Sequence, residues 1–285
     1  MRNFTSKTII ICITLFLTAI LLPASNKVRL VSLAPNLTET IFQLKCEKYL
    51  VGRSSASNYF KQAKNIPIVG EFGVPSIEQL LLVKPDIVVT PALKDPSVQA
   101  IIKNSGIKFY LLPTDSIEQY YETVETLGKI LNAEENAKVE TERIKNGLDK
   151  CLSLINKIPK EKRPKVFWEI WNPPLMTVGN QSFLNDFIYY AGGQNIAENQ
   201  DKGYFNISQE WVIASAPDVI IAPSIGKNII NQMSSQLGWK STPAVVNNRI
   251  YGNLDQNILY LLGPKMLDAI QMIYNCIYEK DKKGF

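Results

Sequence analysis

The chain writes one segment twice. Ser76 to Pro91 reads S-I-E-Q-L-L-L-V-K-P-D-I-V-V-T-P, and Ser208 to Pro223 reads S-Q-E-W-V-I-A-S-A-P-D-V-I-I-A-P. Ser76/Ser208, Glu78/Glu210, Pro85/Pro217, Asp86/Asp218 and Pro91/Pro223 recur in register, and the positions between them are mostly apolar. A short helix running through a Pro-Asp turn into a buried strand is thus used in two places, which implies two similar lobes. Two α/β lobes leave a cleft between them, and such clefts are favoured ligand sites.

Length allows this reading. The chain has 285 residues, enough for two full cores, and its apolar fraction of 46% and charged fraction of 20% are ordinary for a globular protein. The net charge is +5, with no basic run or basic helix face, which argues against nucleic acid as a partner. The sequence contains no His. That removes Ser-His-Asp and Cys-His catalysis and the common His-based metal sets. With no phosphate-cradling glycine loop and no clustered cysteines, an enzyme of two α/β lobes is a weak alternative. No cofactor and no protein-held metal are expected.

Residues 1–25 read as a secretory signal: Arg2 and Lys7 precede the apolar run Thr8–Leu22, then Pro23 and the small residues Ala24 and Ser25. An uncleaved anchor is the alternative. Cys12 sits inside the apolar run, which argues against a lipid-anchored form. Cleavage leaves 29 basic and 26 acidic residues, a net charge of +3. Cys46, Cys151 and Cys276 then remain, an odd number that permits one disulfide at most.

Along the mature chain, strands are expected at Val28–Leu33, Leu50–Gly52, Ile87–Thr90 and Lys108–Leu112, alternating with helices from Asn36 or Thr38 to Leu44, Ser76 to Val83 and Ser97 to Asn104. Arg53 to Val74 reads as a loop. Apolar residues at helical spacing predict one long helix from Glu134 to Ile158, midway between the repeats. A second lobe follows: strand Lys165–Ile170, helix Ser182–Tyr190, loop Gln194–Asn206, the second repeat, strand Arg249–Tyr251 and a helix from Pro264 to Lys280. The expected division is residues 26–130 for the first lobe, 131–159 for the connecting helix and 160–285 for the second lobe. The fold class is α/β, two Rossmann-like lobes joined by a single long backbone helix with the ligand cleft between them.

Ser76 and Ser208 are suitable N-caps, and Glu78 and Glu210 then fall in first helical turns, where the helix dipole favours a carboxylate. One carboxylate per lobe at an equivalent, exposed helix start is also a pair that a partner with two basic pockets can read. Phe72 and Tyr204 each precede the repeated Ser by four residues. With Tyr59 and Trp171 they form an aromatic set on predicted loops, suited to a large, flat, partly apolar ligand. Trp168, in a predicted strand, reads as core. Arg53, after a strand end, is a candidate anion contact. Asp86 and Asp218 read as turn residues.

Four stretches, VRLVSLAPNLTETIFQL, IPIVGEFGVPSIEQLLLVKPDIVV, LMTVGNQSFLNDFIYYAGGQNIA and ISQEWVIASAPDVIIAP, together resemble the periplasmic binding proteins with a helical backbone, which serve ABC importers of vitamin B12, ferric siderophores and haem. The likeness is strongest to the cobalamin-binding members. It implies an exported, monomeric solute receptor in the periplasm. It also implies permease docking through Glu78 and Glu210, a ligand wall at Phe72, and a cleft-side loop at Pro35 and Asn36. Relatives carry Cys-Asp-Tyr-Pro where this chain has Ala56-Ser57-Asn58-Tyr59, so only the Tyr is shared. Siderophore relatives place several Arg in the cleft, where this chain offers Arg53 foremost, and haem relatives use His or Tyr on iron, where only Tyr is available. The expected ligand is therefore a corrinoid, with a ferric siderophore or haem as the alternative.

Overall fold

Ile87-Val88-Val89 and Val219-Ile220-Ile221 are buried along their whole length, as β-branched runs in the middle of a parallel sheet must be. The computed structural model describes residues 28–224, 231, 233, 235–236 and 238–279, so the leader expected over residues 1–25 lies outside them. The first lobe comprises β1 (Leu30–Ser32), α1 (Pro35–Gln43), β2 (Leu50–Arg53), the hairpin of β3 (Gly70–Glu71) and β4 (Val74–Pro75), α2 (Ile77–Leu82), β5 (Ile87–Thr90), α3 (Ser97–Asn104) and β6 (Lys108–Leu111). Its main sheet is parallel in the order β2-β1-β5-β6. Two helices follow, α4 (Ile117–Leu131) and α5 (Glu134–Ile155).

The second lobe comprises β7 (Lys165–Trp168), β8 (Met176–Val178), α6 (Phe183–Tyr190), β9 (Gln194–Asn195), β10 (Tyr204–Asn206), α7 (Gln209–Ser215), β11 (Val219–Ile221), α8 (Pro243–Val246), β12 (Ile250–Tyr251), α9 (Gln256–Leu259) and α10 (Met266–Tyr278). Its main sheet is again parallel, in the order β12-β11-β7-β9, while β8 and β10 pair antiparallel beside it.

Strand side chains alternate between two faces. In the first lobe Leu30 and Val89 join one core while Val31 and Val88 join another. In the second, Val166, Trp168, Val219 and Ile221 face the same large core as Leu30, and Phe167 and Ile220 face a smaller one around Trp239. One apolar core therefore runs through both lobes, by way of α1, α4, α5, α6 and α10.

The repeated residues do the same work twice. Ser76 and Ser208 cap α2 and α7, accepting from the backbone of Gln79 at 3.4 Å and Trp211 at 3.2 Å. Leu80 and Val212, four residues on, are fully buried. Lys84 and Ala216 adopt left-handed φ angles of 43° and 49° and stop their helices ahead of Pro85 and Pro217. Asp86 and Asp218 are more than turn residues. The Asp86 carboxylate accepts from the backbone N–H of Arg29 at 2.7 Å, and Asp218 from that of Lys165 at 2.8 Å. Each tacks down the start of the neighbouring strand, β1 or β7. Arg29 and Lys165 return the favour, donating to the last carbonyls of α2 and α7, at Val83, Lys84 and Ser215.

The connecting helix is α5, three residues shorter at its C-terminus than expected. It leaves the first lobe where Asn136 donates to the Leu44 carbonyl at 2.8 Å and reaches the second where Ile155 meets Gly192. Near its middle Glu140, almost fully buried, accepts two bonds from Arg143 (2.7 and 2.8 Å) and one from Gln43 (3.0 Å). Arg143 also donates to the Pro264 carbonyl at 2.6 Å.

Other differences from the sequence reading are local. α4 is a separate helix, capped by Ser116 and ended by Asn132 at φ 51°. The predicted loops at 53–74 and 194–206 hold β3 and β4, and β9 and β10. The strand expected to reach Ile170 stops at Trp168, because the chain turns there so that Ile170 bonds the Met176 carbonyl. Cys46, Cys151 and Cys276 are all free thiols, so no disulfide joins them.

Candidate functional site

In open parallel sheets the ligand crevice lies beyond the carboxyl ends of the strands. Here the carboxyl ends of the two sheets approach each other. Asn36, after β1, donates to Thr114 Oγ1 at 2.9 Å and to the Leu262 carbonyl of the second lobe at 3.0 Å. Lys265, ahead of α10, pairs with buried Glu39 of α1 at 2.6 Å. The Tyr59 hydroxyl, beyond β2, feels the charges of Glu39 and of Asp255, the residue that follows β12 and caps α9. The Tyr204 hydroxyl feels Asp115, beyond β6.

Pro35 and Asn36 are buried where the lobes join. Asn36 lies against Gly263, at which an added Cβ would come within 3.2 Å of it. Asn36→Ala leaves the Leu262 carbonyl and Thr114 without their shared donor. It is expected to cost about 1–3 kcal/mol, read as a lowered urea midpoint with unchanged slope.

Arg53 is buried, and its guanidinium is bonded within its own lobe, to the carbonyls of Ala63 (2.8 Å) and Ser54 (3.0 Å) and to Asn58 Oδ1 (2.8 Å). It pins the turn that presents Tyr59. The structure thus gives Arg53 a positioning contact in place of the expected open anion site. Burial lowers its pKa, but an Arg so bonded stays charged.

Phe72 is 43% exposed at the tip of the β3–β4 hairpin. That hairpin is held to the loop beyond β5 by the bond from Lys94 N–H to the Gly73 carbonyl at 2.9 Å, and Gly73 has the positive φ of 67° that the turn requires. Trp171 is 57% exposed beyond β7, its indole donating to the Pro173 carbonyl at 3.0 Å. The Tyr204 ring is half exposed while its hydroxyl reaches back toward Ser182, and burial of that hydroxyl raises its pKa. Trp168 is fully buried, as expected of core.

The sequence reading missed Glu169 and Tyr260. Glu169 is fully buried directly after β7, its N–H bonded to the Ile221 carbonyl at 2.9 Å. Neither carboxylate oxygen meets a donor at hydrogen-bond geometry. Burial pushes its pKa up to about 7, against the lowering effect of the Asn172 side chain beside it. Tyr260 stacks edge-on against Trp168 at 6.3 Å, lies within hydrogen-bond distance of Ser224 Oγ (3.1 Å), and feels both Tyr204 and Glu169. The available signal was Glu169 itself, a lone acid inside the apolar run Val166-Phe167-Trp168-Glu169-Ile170-Trp171. On the facing side, Ser54 Oγ is likewise buried without a partner at hydrogen-bond geometry, while the buried Tyr59 hydroxyl has the Glu39 carboxylate as its hydrogen-bonding neighbour.

Glu78 and Glu210 are exposed on the first turns of α2 and α7, outside this cleft. A cavity of about 480 Å³ lies elsewhere, among Glu39, Phe42, Phe60, Arg143, Lys265 and Asp268. None of Phe72, Trp171 or Tyr204 lines it, and its charged residues are those that join the lobes. Among the described residues no group of three or more His, Cys, Asp or Glu could hold a metal ion, and no helix is long and apolar enough to cross a membrane.

Residues 30–256 match the model of a family described as periplasmic binding protein. The chain is 26% identical over 255 residues to an uncharacterized ABC transporter substrate-binding lipoprotein, YvrC, of Bacillus subtilis, covering 88% of this chain and 80% of that one. It is 25% identical over 277 residues to a vitamin B12-binding protein of Vibrio cholerae, covering 95% and 96%. The fold matches that of the apo periplasmic heme-binding protein RhuT of Roseiflexus at a TM-score of 0.78 and 24% identity, over 89% of this chain and 99% of the solved one. Proteins of this kind are transport components that hand their ligand to ABC permeases. The chain belongs to the periplasmic binding protein family.

Proposed function

We propose that the protein captures cobalamin or a related corrinoid between its lobes and delivers it to a membrane permease. The observation that carries this reading is the character of the facing strand ends: Phe72, Trp171 and Tyr204 are exposed there, and Ser54 and Glu169 carry buried polar atoms without a partner at hydrogen-bond geometry. Native structures leave few buried polar groups unsatisfied, and a ligand is one way to satisfy them. A corrinoid offers a broad apolar face and a rim of amides, which suits both sets. Pro35 and Asn36 form the floor in this reading, and Arg53 acts by holding Tyr59. The vitamin B12-binding relative supports the choice of ligand. The heme-binding solved structure supports the alternative, haem or a ferric siderophore in the same cleft.

Calorimetric and absorbance titration with cyanocobalamin tests it. Saturable one-to-one binding is expected, and Phe72→Ala with Tyr204→Ala should weaken it at least tenfold by removing aromatic contact area. Absence of both heat and spectral change would exclude cobalamin. Residues 1–25 are proposed to export the chain as a monomer to the periplasm, so the mature protein should begin near Ala24 to Asn26 by mass spectrometry. A retained leader would favour the anchored form.

A further inference from the structure

Glu169 is unusual among the buried groups at the strand ends. It ends β7, next to the centre of the second sheet, on the edge that faces the first lobe. Its backbone is fixed to Ile221 of β11, so the residue cannot swing away without breaking the sheet edge. The side chain is fully buried, and both oxygens are without a hydrogen-bond partner. A buried carboxyl so placed carries a desolvation cost that the Asn172 side chain of its own lobe offsets only in part. Tyr260, at the end of α9, feels the charge of Glu169 and of Tyr204, and the Asn172 side chain is the polar neighbour of Glu169. No lysine or arginine among the described residues acts on it. The missing partner is therefore a further hydrogen-bond donor, and the residue sits just past the carboxyl end of β7, the end at which the two lobes meet.

We propose that Glu169 is a specificity-determining group of the cleft, accepting a hydrogen bond from an N–H donor on the ligand, of the amide or ammonium class. The inference rests on the cleft being the ligand site and deepens that reading by choosing among ligand chemistries. A corrinoid carries primary amides around its rim, and hydroxamate siderophores carry amide N–H groups. Haem presents carboxylates at its edge, which would set like charge against Glu169. Burial holds the free carboxyl protonated at neutral pH to a large extent, and an incoming N–H donor favours its ionised form. Binding should then release a proton to solvent between about pH 5 and 7, and affinity should rise with pH across that range.

Titration of wild type and Glu169→Gln with cyanocobalamin, ferrichrome and hemin, each in phosphate and in Tris at pH 6.5, tests this. Expected is a buffer-dependent heat showing a substantial fraction of a proton released per cyanocobalamin bound, lost in Glu169→Gln together with about tenfold or more in affinity. Cyanocobalamin binding with no proton release and an equal Kd for the two proteins would overturn the role of Glu169 and leave the corrinoid reading standing. Binding of ferrichrome alone, with the proton release, would overturn the corrinoid reading and support Glu169. Binding of hemin alone would overturn both.

Discussion

A Glu78→Ala, Glu210→Ala double variant is expected to bind cyanocobalamin with the wild-type Kd and to support no transport into vesicles carrying the cognate permease and ATPase. Both carboxylates are exposed at the first turns of α2 and α7, and nothing in the fold consumes them. The caps are made by Ser76 and Ser208, the strand starts are tacked by Asp86 and Asp218, and the core is entered by Leu80 and Val212. Removing the two Glu side chains sacrifices only helix-dipole contributions of about 0.3–1 kcal/mol each, too little to unfold either lobe. If two basic pockets on a partner read the pair, loss of one Glu should weaken docking strongly and loss of both should abolish it. Weakened ligand binding in the double variant would refute the docking role, because it would place the Glu residues in the cleft.

The second large effect is on stability against pH. Glu169 has its folded pKa raised from 4.5 to about 7 by burial, and Asp186 from 3.8 to about 6, chiefly by burial with help from the charge of Glu118. For an acid whose folded pKa is raised, the native state binds more protons than the unfolded chain between the two values. The stabilising contribution is present in full below the unfolded pKa and is lost as pH rises through the folded pKa. Through these two groups the ligand-free protein should therefore be most stable near pH 4 and lose stability toward pH 8. Glu169, with no exposed surface, accounts for about 3 kcal/mol of that fall. Urea unfolding of Glu169→Gln should show a flattened profile, with the residual slope belonging to Asp186. A wild-type profile that rises from pH 5 to 8 would contradict the buried state of Glu169.

The duplicated segment was legible because its signals are local. A Ser cap, an apolar residue four positions on, and a Pro-Asp stop are all written within a dozen residues, and the structure repeats them in both lobes. The work of Asp86 and Asp218 was not legible. Their partners, the N–H groups of Arg29 and Lys165, lie 57 and 53 residues away and are fixed by the register of parallel strands. Phe72 and Trp171 were readable as residues of turns and loops, whereas Tyr204 starts β10 and Tyr59 ends a short 3-10 helix, and Arg53 was misread because its three partners all come from a turn that folds back on it. Glu169 was overlooked inside an apolar strand because composition gives no account of whether a buried acid has a partner. The start of α5 at Glu134 was read correctly, but α4 was missed: Asn132 in a left-handed conformation ends it without the Gly or Pro that usually announces a break.

The joint between the lobes has a mechanical consequence. α5 is a strut of 22 residues, about 33 Å at 1.5 Å per residue. It is braced near its middle by the strap at Leu262–Lys265, which is tied to Asn36, Glu39 and Arg143. Such a frame cannot close like a jaw. What such bracing leaves is tilting, and each degree of tilt carried along an arm of about 30 Å displaces the far end by about 0.5 Å. Whatever inspects this protein for cargo must then be sensitive to an ångström-scale change in the spacing between two distant points, so the molecule works as a caliper whose opening is fixed by its frame and trimmed by what it holds.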